Sequence, residues 1–442
     1  MRNVIFHAFN WHYQEIIDRI EEIRDAGYGA ILIPPPLYSD PKGDQWWQRY
    51  QPKDYRILLS HLGGKKELLE LIEKCHGTNP KIRVYADIVI NHMANEAEAR
   101  EDRLNFPGEA ELKKYQNNLT LFEENRLYGD LSEGLFSPWD FNQGGDIGDW
   151  SNRDQVRFNS LSGLPDLKDS DWVLSQQKQM LSALAEMGFD GFRIDAIKHM
   201  TERTIDNFAD RDFMAGKFLF GEVLTGSDRD EDIFLDPFLV ETWMPAYDFP
   251  LFQTIREAFG FGGSLRRLAH PENEGNALAW NRAVTFTVNH DVPYNDGFRF
   301  WLLDRQDEYL AYAYILGRDG GVPLIFCDHN ESTEKHPEDR DRWTNVVERE
   351  DLNRMIQFHN AVHGERMEIL YESDVVLVFR RGDFGIVAIN KGGAETWVEF
   401  STWGLKNPGN YKDLIHKQEM KLSGNRFTLY IPPRTAQMWL SV

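Results

Sequence analysis

Three acidic residues of this chain each follow an apolar run of strand length. Asp195 follows the run Gly191–Ile194, Glu222 follows Phe218–Gly221, and Asp291 ends a third such segment. If these runs are parallel strands of one barrel, their carboxyl ends share a rim and the three side chains meet there. Two carboxylates on either side of a bond are the groups that hydrolyse a glycosidic linkage, one as nucleophile and one as proton donor.

The neighbours of the three acids indicate how the roles divide. Arg193 lies two residues before Asp195, so both side chains face the same side of the strand, and a guanidinium there favours the ionised form of a nucleophile. Glu222 follows a more apolar run, where desolvation would raise its pKa and suit a general acid. Asp291 follows His290 and could hold sugar hydroxyls while stabilising positive charge. A single acid at the end of a strand more often caps a helix or forms a loop ion pair. Three acids that each follow an apolar strand, two of them beside an Arg or a His, favour catalysis instead.

The elements that must position these residues alternate between strands and helices over the first three quarters of the chain. Eight apolar runs of strand length are separated by segments such as Tyr13 to Ala26, whose isoleucines recur at helical spacing. Eight alternating strands predict a parallel sheet closed into a (β/α)8 TIM barrel. The strand candidates are Val4 to Phe9, Ala30 to Ile33, Val84 to Ile90, Gly191 to Ile194, Phe218 to Phe220, Glu241 to Tyr247, Ala283 to Val288 and Pro323 to Cys327.

Two regions depart from this alternation. Residues 93–165 are rich in Asn, Gly, Glu and Asp and show no clear period, which indicates a small inserted domain after the third strand. Residues 363–442 contain short strand candidates separated by turns, which indicates an all-β sandwich domain at the C-terminus. The catalytic barrel would then comprise residues 1–92 and 166–362.

Composition excludes some partners. The 442 residues carry a net charge of −22, which argues against nucleic acid and against an anionic membrane surface. The two cysteines, Cys75 and Cys327, suggest neither a disulfide framework nor a cysteine zinc site. A strand candidate begins at Val4, so we expect a cytoplasmic protein, or a secreted one whose signal was removed. We expect a monomer.

The strand-end segments together resemble the signature regions of the α-amylase family, glycoside hydrolase family 13. Further similarity lies in Gly163-Leu164-Pro165-Asp166-Leu167, in Leu32-Ile33-Pro34-Pro35-Pro36 and in the segment from Tyr50 to Tyr55. The strand-end segments that carry the resemblance are Asp87-Ile88-Val89-Ile90-Asn91-His92, Gly191 to His199, Phe218 to Val223 and Phe286 to Asp291.

The resemblance implies a role for each matching residue. Asp195 matches the nucleophile, Glu222 the acid/base and Asp291 the transition-state stabiliser. The residues that match substrate-binding positions are Tyr50, His92, Arg193, Lys198, His199 and His290. A Lys-His pair at positions 198 and 199 is typical of α-amylases rather than of α-glucosidases.

The resemblance also implies a structural calcium ion that would attach the inserted domain to the barrel. Asn91 and Asp166 match its side-chain ligands, and Arg157 and His199 match residues that offer backbone carbonyls, all oxygen donors suited to Ca²⁺. The alternative is that Asn91 and Asp166 bond loop backbone. Lys168 is a departure, because it places a positive charge near the ion. Leu324 stands where animal amylases have a chloride-binding Arg, so we expect no chloride activation.

The sequence therefore predicts a retaining α-amylase. It would cut internal α-1,4-glucosidic bonds of starch, glycogen and maltooligosaccharides through a covalent glucosyl-enzyme, with the carboxyls of Asp195 and Glu222 about 5–5.5 Å apart. One alternative is an exo-acting or transglycosylating α-glucan enzyme of the same family. Another is a non-catalytic relative that only binds glucan.

Overall fold

The computed structural model describes residues 2–39, 45–95, 104–329 and 336–442. Eight parallel strands close into a barrel in the order β1-β10-β9-β8-β7-β6-β5-β2. The predicted TIM barrel is confirmed. Its strands are β1 (Ile5–Phe9), β2 (Ala30–Ile33), β5 (Arg83–Ile88), β6 (Gly191–Ile194), β7 (Phe218–Gly221), β8 (Ala246–Tyr247), β9 (Ala283–Thr285) and β10 (Val322–Asp328). A short hairpin of β3 (Leu59–Ser60) and β4 (Gly63–Gly64) lies beside it.

Helices surround the barrel and connect its strands. They are α1 (Tyr13–Asp18), α2 (Ile20–Ala26), α3 (Lys65–Gly77), α4 (Glu109–Asn117), α5 (Leu119–Glu124), α6 (Arg153–Phe158), α7 (Asp171–Met187), α8 (Glu202–Phe208), α9 (Asp228–Asp230), α10 (Asp236–Glu241), α11 (Phe249–Phe259), α12 (Asp291–Tyr294), α13 (Arg305–Gly317) and α14 (Glu350–Val362). No helix of the described residues is long and apolar enough to span a bilayer.

Strand alternation divides the core into two layers. In β1, Ile5 and Phe9 point into the barrel, whereas Phe6 and Ala8 pack outward against the helices. The interior of the barrel is filled by large rings and branched chains, among them Phe220. The barrel is therefore a solid core, and only its ends can hold a site.

Three element boundaries differ from the predicted ones. The helix expected from Tyr13 to Ala26 breaks at Arg19, whose φ of −110° and ψ of 12° are not helical. The weak strand expected from Glu241 to Tyr247 is only Ala246–Tyr247, because Glu241 ends a helix. β9 ends at Thr285, ahead of the predicted Val288.

The inserted segment after β5 is built from short helices and isolated bridges. His92 pairs with Asp166 across its base, and Met93 donates to the carbonyl of Pro165, so the segment leaves and rejoins the barrel at one place. The two ends of the insert therefore lie beside the C-terminal end of β5.

The C-terminal domain contains two antiparallel sheets that enclose an apolar core of their own. A six-stranded sheet runs in the order β11-β12-β13-β18-β15-β16, and β14 pairs with β17. The predicted all-β domain is confirmed, while the exact residue limits of the three domains stay predictions. Its strands are β11 (Met367–Glu372), β12 (Val376–Arg381), β13 (Gly385–Asn390), β14 (Thr396–Ser401), β15 (Gly409–Asp413), β16 (Glu419–Leu422), β17 (Arg426–Ile431) and β18 (Thr435–Ser441).

Candidate active site

Backbone pairing places the three acids at the carboxyl end of the barrel. Asp195 directly follows β6, and its amide donates to the carbonyl of Ile88 at the end of β5 at 2.9 Å. The amide of Glu222 donates to the carbonyl of Ile194 at 2.9 Å. Asp291 begins α12, beyond β9. The structure thus brings together the three acids that the sequence singled out.

The guanidinium of Arg193 joins two of these acids and a third carboxylate. Its Nη1 lies 2.6 Å from Oδ1 of Asp195 and 2.8 Å from Oδ1 of Asp87, and its Nη2 lies 2.6 Å from Oε1 of Glu222. The Arg193 side chain is fully buried. Arg193 lies equally close to Asp195 and Glu222, but of these two acids it hydrogen-bonds only Asp195, because Nη2 and Oε1 of Glu222 have no hydrogen-bond partner among the described residues.

Burial disfavours the charged forms of Asp195 and Asp291, and Arg193 opposes that effect. Burial raises the pKa of Asp195, against the opposing charge of Arg193, and it raises the pKa of Asp291 well above its ordinary value. The Asp291 and Glu222 carboxyls are hydrogen-bonded to each other. A bond between two carboxyl groups requires a proton, because an ionised carboxylate only accepts. Asp291 therefore keeps its proton more readily than an ordinary aspartate, next to Glu222 and Asp195.

Tyr50, His92 and His290 form one side of the same mouth. The rings of Tyr50 and His290 stack with centroids 5.0 Å apart and an interplanar angle of 13°. Nε2 of His92 lies 3.0 Å from the carbonyl oxygen of Tyr50, and Nε2 of His290 lies 3.5 Å from Oδ2 of Asp291. Burial lowers the pKa of His92 to about 4 and that of His290 well below its usual value. Both imidazoles are therefore neutral at about pH 7.

Lys198 and His199 point in different directions. The Lys198 ammonium donates to the carbonyl of Leu224 at 2.9 Å and lies 5.7 Å from the ring centroids of Trp150 and Phe234. Nδ1 of His199 lies 2.9 Å from the carbonyl oxygen of Val156 in the inserted segment. Lys198 borders the site, whereas the His199 ring joins the insert to the barrel.

Comparison with known proteins decides the family. Residues 12–222 match the model of the α-amylase catalytic domain, and residues 371–442 match that of the α-amylase C-terminal all-β domain. An α-amylase of Aeromonas hydrophila is 45% identical over 424 residues, covering 93% of this chain and 90% of the relative. The chain belongs to the α-amylase family. It is a glycoside hydrolase of that family.

Solved structures share the fold of this α-amylase family member. A mutant form of α-amylase I from Eisenia fetida, in complex with maltohexaose, superimposes with a TM-score of 0.79 at 20% identity, covering 100% of this chain and 97% of the other. A cyclomaltodextrin glucanotransferase gives a TM-score of 0.73 at 21% identity over 99% of both chains. At these identities the likeness concerns the fold alone.

Three of the four predicted calcium residues line one small cavity between the insert and the barrel, and the fourth, Asp166, bonds one of them. Asn91, Arg157 and His199 line it, and the Asp166 carboxylate bonds Asn91 and Asn142. The cavity also contains Gln177, whose Oε1 is buried and has no hydrogen-bond partner among the residues that the structure describes. Within the described ranges no three His, Cys, Asp or Glu side chains cluster as metal ligands. An ion here would lie among the carboxylates of Asp166 and Asp169 and neutral oxygens.

These residues fit a hard cation. Burial raises the pKa of Asp166 well above its ordinary value, and the groups that oppose this rise are the amides of Asn142 and Asn91 rather than a cationic side chain. A buried carboxylate without a cation, next to an oxygen without a donor, is the electrostatic arrangement that Ca²⁺ completes. The Lys168 ammonium donates to the carbonyl of Trp139 at 2.9 Å, so its charge is engaged in the insert.

Two residues of the site escaped prediction from the sequence. Asp87 is fully buried, bonds Arg193, and accepts from the Tyr50 hydroxyl at 2.9 Å. His7 lies in β1 with its ring 5.6 Å from that of His290. Asp87 opens one of the strand-end segments and could have been found there, whereas His7 sits mid-strand without a signal. Leu324, at the position compared with the chloride ligand, is fully buried in the barrel.

Proposed function

We propose that this family member is a retaining, endo-acting α-amylase that hydrolyses α-1,4-glucosidic bonds of starch, glycogen and maltooligosaccharides. The observation that carries the proposal is that the buried Arg193 guanidinium lies 2.6 Å from both the Asp195 and the Glu222 carboxyls, with Asp291 beyond strand β9 of the same barrel. Two carboxyls on adjacent nitrogens of one guanidinium are close enough to reach the same glycosidic bond from one rim.

In the first step Asp195 attacks the anomeric carbon. Arg193 holds Oδ1 at 2.6 Å, which fixes the carboxylate and stabilises its negative charge before the attack. Glu222, as the general acid, gives a proton to the leaving oxygen, so the leaving group departs as a neutral alcohol. Asp291 lies on the same rim and faces the positive charge that develops on the sugar ring.

In the second step Glu222 acts as the base. It takes a proton from a water molecule, whose oxygen attacks the anomeric carbon and releases Asp195 as a carboxylate. Two displacements at one carbon restore its configuration. The neutral imidazoles of His92 and His290 can donate and accept hydrogen bonds to sugar hydroxyls without adding charge to the site.

The substrate class is supported by the relatives. The Aeromonas hydrophila relative is named an α-amylase, and the Eisenia fetida structure holds maltohexaose. The net charge of −22 also suits a neutral polymer, because an anionic one would be repelled.

Proton NMR of early maltoheptaose products tests the proposal. We expect α-anomers of internal fragments from the first turnovers. β-Anomers would contradict the retaining mechanism, and a single short product released from one chain end would contradict endo action. Products longer than the maltoheptaose substrate would instead indicate the transglycosylating alternative, and binding without turnover would indicate the non-catalytic one.

We further propose that the cavity between the insert and the barrel holds a structural Ca²⁺ on Asn91, Asp166 and the carbonyls of Arg157 and His199. When bound, the ion neutralises the Asp166 carboxylate and ties the insert to β5. At calcium a thousandfold above Kd, its removal would lower the free energy of unfolding by about 4 kcal/mol. Thermal unfolding with EDTA and with added CaCl₂ checks this, and Asp166→Asn should abolish the difference. Equal melting temperatures in EDTA and calcium would refute the site.

A further inference from the structure

The ammonium of Lys198 lies beside the proposed general acid. Lys198 comes three residues after Asp195, and its Nζ donates to the carbonyl of Leu224, two residues after Glu222, at 2.9 Å. The charges of Asp230 and Glu222 both favour the charged form of Lys198. Because Glu222 must protonate the leaving oxygen, an ammonium next to it lies on the side from which the leaving sugar departs.

This ammonium has donors to spare for a ligand. An ammonium carries three N–H donors, and among the described residues the Leu224 carbonyl is the acceptor that Lys198 reaches. The other two donors are thus available to the hydroxyl oxygens of a sugar. Such hydrogen bonds form only if the flexible four-carbon stem of the lysine is held in one conformation.

Two aromatic rings from different parts of the chain contact the same ammonium. The ring centroids of Phe234 and Trp150 each lie 5.7 Å from Nζ of Lys198. Trp150 belongs to the inserted segment, whereas Phe234 belongs to the segment after β7. A cation over an aromatic face is held most firmly where water is excluded. Phe234 is only 6% exposed and Trp150 is 48% exposed, so water weakens the contact of Phe234 less.

The backbone that carries Phe234 departs from regular α-helix at this contact. Residues Glu231–Leu235 form a π-helical turn between α9 and α10. Turns of this kind are rare and are found frequently at functional sites. The start of the segment is fixed, because the amide of Gly226 donates to Oδ2 of Asp230 at 3.1 Å. The segment therefore presents the Phe234 ring to Lys198 from a braced backbone.

Core packing alone does not explain this contact. Phe234 packs in the apolar core together with Phe238, which lies on α10 and is 5% exposed. Both rings fill space in the same core, but of the two only Phe234 contacts Lys198. Phe238 therefore shows what a purely structural phenylalanine of this segment looks like.

We propose that Phe234 is a positioning residue that sets the affinity of the active site for the sugar on the leaving-group side, because its ring holds the Lys198 ammonium where that sugar binds. The inference rests on the proposed function, which makes Glu222 the general acid. Phe234 acts through Lys198 and need not touch the substrate. Without the ring the ammonium would visit other rotamers, and its hydrogen bonds to the leaving sugar would weaken.

Two substrates with different leaving groups separate this role from a structural one. Maltoheptaose places sugar units on both sides of the cleaved bond, whereas α-maltosyl fluoride releases fluoride and places no sugar on the leaving-group side. Phe234→Leu keeps an apolar side chain but removes the ring, so kcat/KM for maltoheptaose should fall about tenfold and that for the fluoride by less than about twofold. Phe234→Tyr keeps a ring and should restore most of the lost activity on maltoheptaose.

The readout is the ratio of the two kcat/KM values. A smaller folded fraction lowers both values by the same factor, so the ratio reports on the leaving-group side alone. Phe238→Leu is the matched control and should leave the ratio unchanged. Lys198→Met should lower the ratio by itself, and adding Phe234→Leu should then lower it no further. An unchanged ratio in Phe234→Leu, or an equal effect of Phe234→Leu with and without Lys198, would overturn the inference.

Failure of this inference differs from failure of the proposed function. A chain that hydrolyses both substrates with a ratio independent of Phe234 would refute this inference alone. A chain that hydrolyses neither substrate would refute the proposed function, and calorimetric titration with maltoheptaose then tests the inference. Phe234→Leu should weaken that binding, whereas Phe238→Leu should not. Equal affinities of the two variants would refute the positioning role.

Discussion

The two ends of the barrel each contain a buried arginine, and the two differ in what surrounds the guanidinium. At the carboxyl end Arg193 contacts Asp87, Asp195 and Glu222. At the amino end Arg318 pairs with Glu272 and, within the described part of the chain, keeps two N–H groups unpaired. An excess of carboxyls around one cation stores protons and suits acid–base chemistry. The same residue type is therefore surrounded by three acids at one end of the barrel and by one ion-pair partner at the other, within the described part of the chain.

The largest effect should come from the carboxylate that we propose as nucleophile. Asp195→Asn removes the attacking oxygen charge while keeping the side-chain shape, and kcat on maltoheptaose should fall by on the order of 10⁴-fold. Asp328→Asn is the matched control, because Asp328 is also a buried acid at a strand end but bonds Asn10 and Tyr294 instead of Arg193. Its kcat should stay within about tenfold. Equal losses of kcat in the two variants would contradict a specific catalytic role for the acids around Arg193.

The two arginines should also differ in stability. Arg193→Ala leaves three buried carboxyls without their cation and should lower the free energy of unfolding by about 3–5 kcal/mol. Arg318→Ala removes the ion-pair partner of Glu272, which is 31% exposed and can be hydrated, and a nearby charge that Asp248 does not pair with directly, so the loss should be about 1–2 kcal/mol. Urea unfolding at about pH 7 measures both. A larger loss for Arg318→Ala would reverse the comparison.

A smaller effect concerns Asp248, a buried acid whose pKa responds to Arg318. Burial raises the pKa of Asp248 from 3.8 to about 6, and the charge of Arg318 opposes the rise. The folded state therefore holds this proton more tightly than the unfolded chain, so stability present below pH 3.8 is lost as pH rises through about 6. The whole loss amounts to about 3 kcal/mol. Asp248→Asn keeps the acceptor for the amides of Leu251 and Leu278 and should abolish this decline.

Unfolding free energies at about pH 4.5 and about pH 7 provide the measurement. The contribution of Asp248 between these two pH values should be about 2 kcal/mol, because part of the whole loss has already occurred below the lower one. The Asp248→Asn variant should lack this contribution. An identical pH dependence in both proteins would show that Asp248 does not titrate in this range.

Local patterns were enough to predict the barrel and its catalytic rim. Each strand is a short apolar run with a clear end, and an acid such as Asp195 that follows such a run must reach the rim because parallel strands share their direction. The strand prediction failed where the apolar run was short and weak. Tyr247 belongs to a strand of only two residues, and the preceding segment forms helix α10 up to Glu241.

The remaining features depend on contacts that no local pattern encodes. The sequence shows that Arg193 is near Asp195, but its equal approach to Glu222 depends on the packing of β6 against β7. At the amino end of the barrel, Glu272 joins Trp280 and Arg318 through a single carboxylate. These residues match no sequence motif. Their proximity could not be predicted, because it depends on closure of the barrel and on its contact with the C-terminal domain.

The central claim is that Asp195 forms a covalent bond with the substrate, while Glu222 acts first as general acid and then as general base. Incubating the Glu222→Gln variant with an α-maltosyl fluoride, whose leaving group needs no proton, should let the first step proceed and slow the second. Mass spectrometry of the digested protein should then find a maltosyl group on the peptide that contains Asp195. A label on the peptide of Asp291, or no label together with β-anomeric products, would contradict the account.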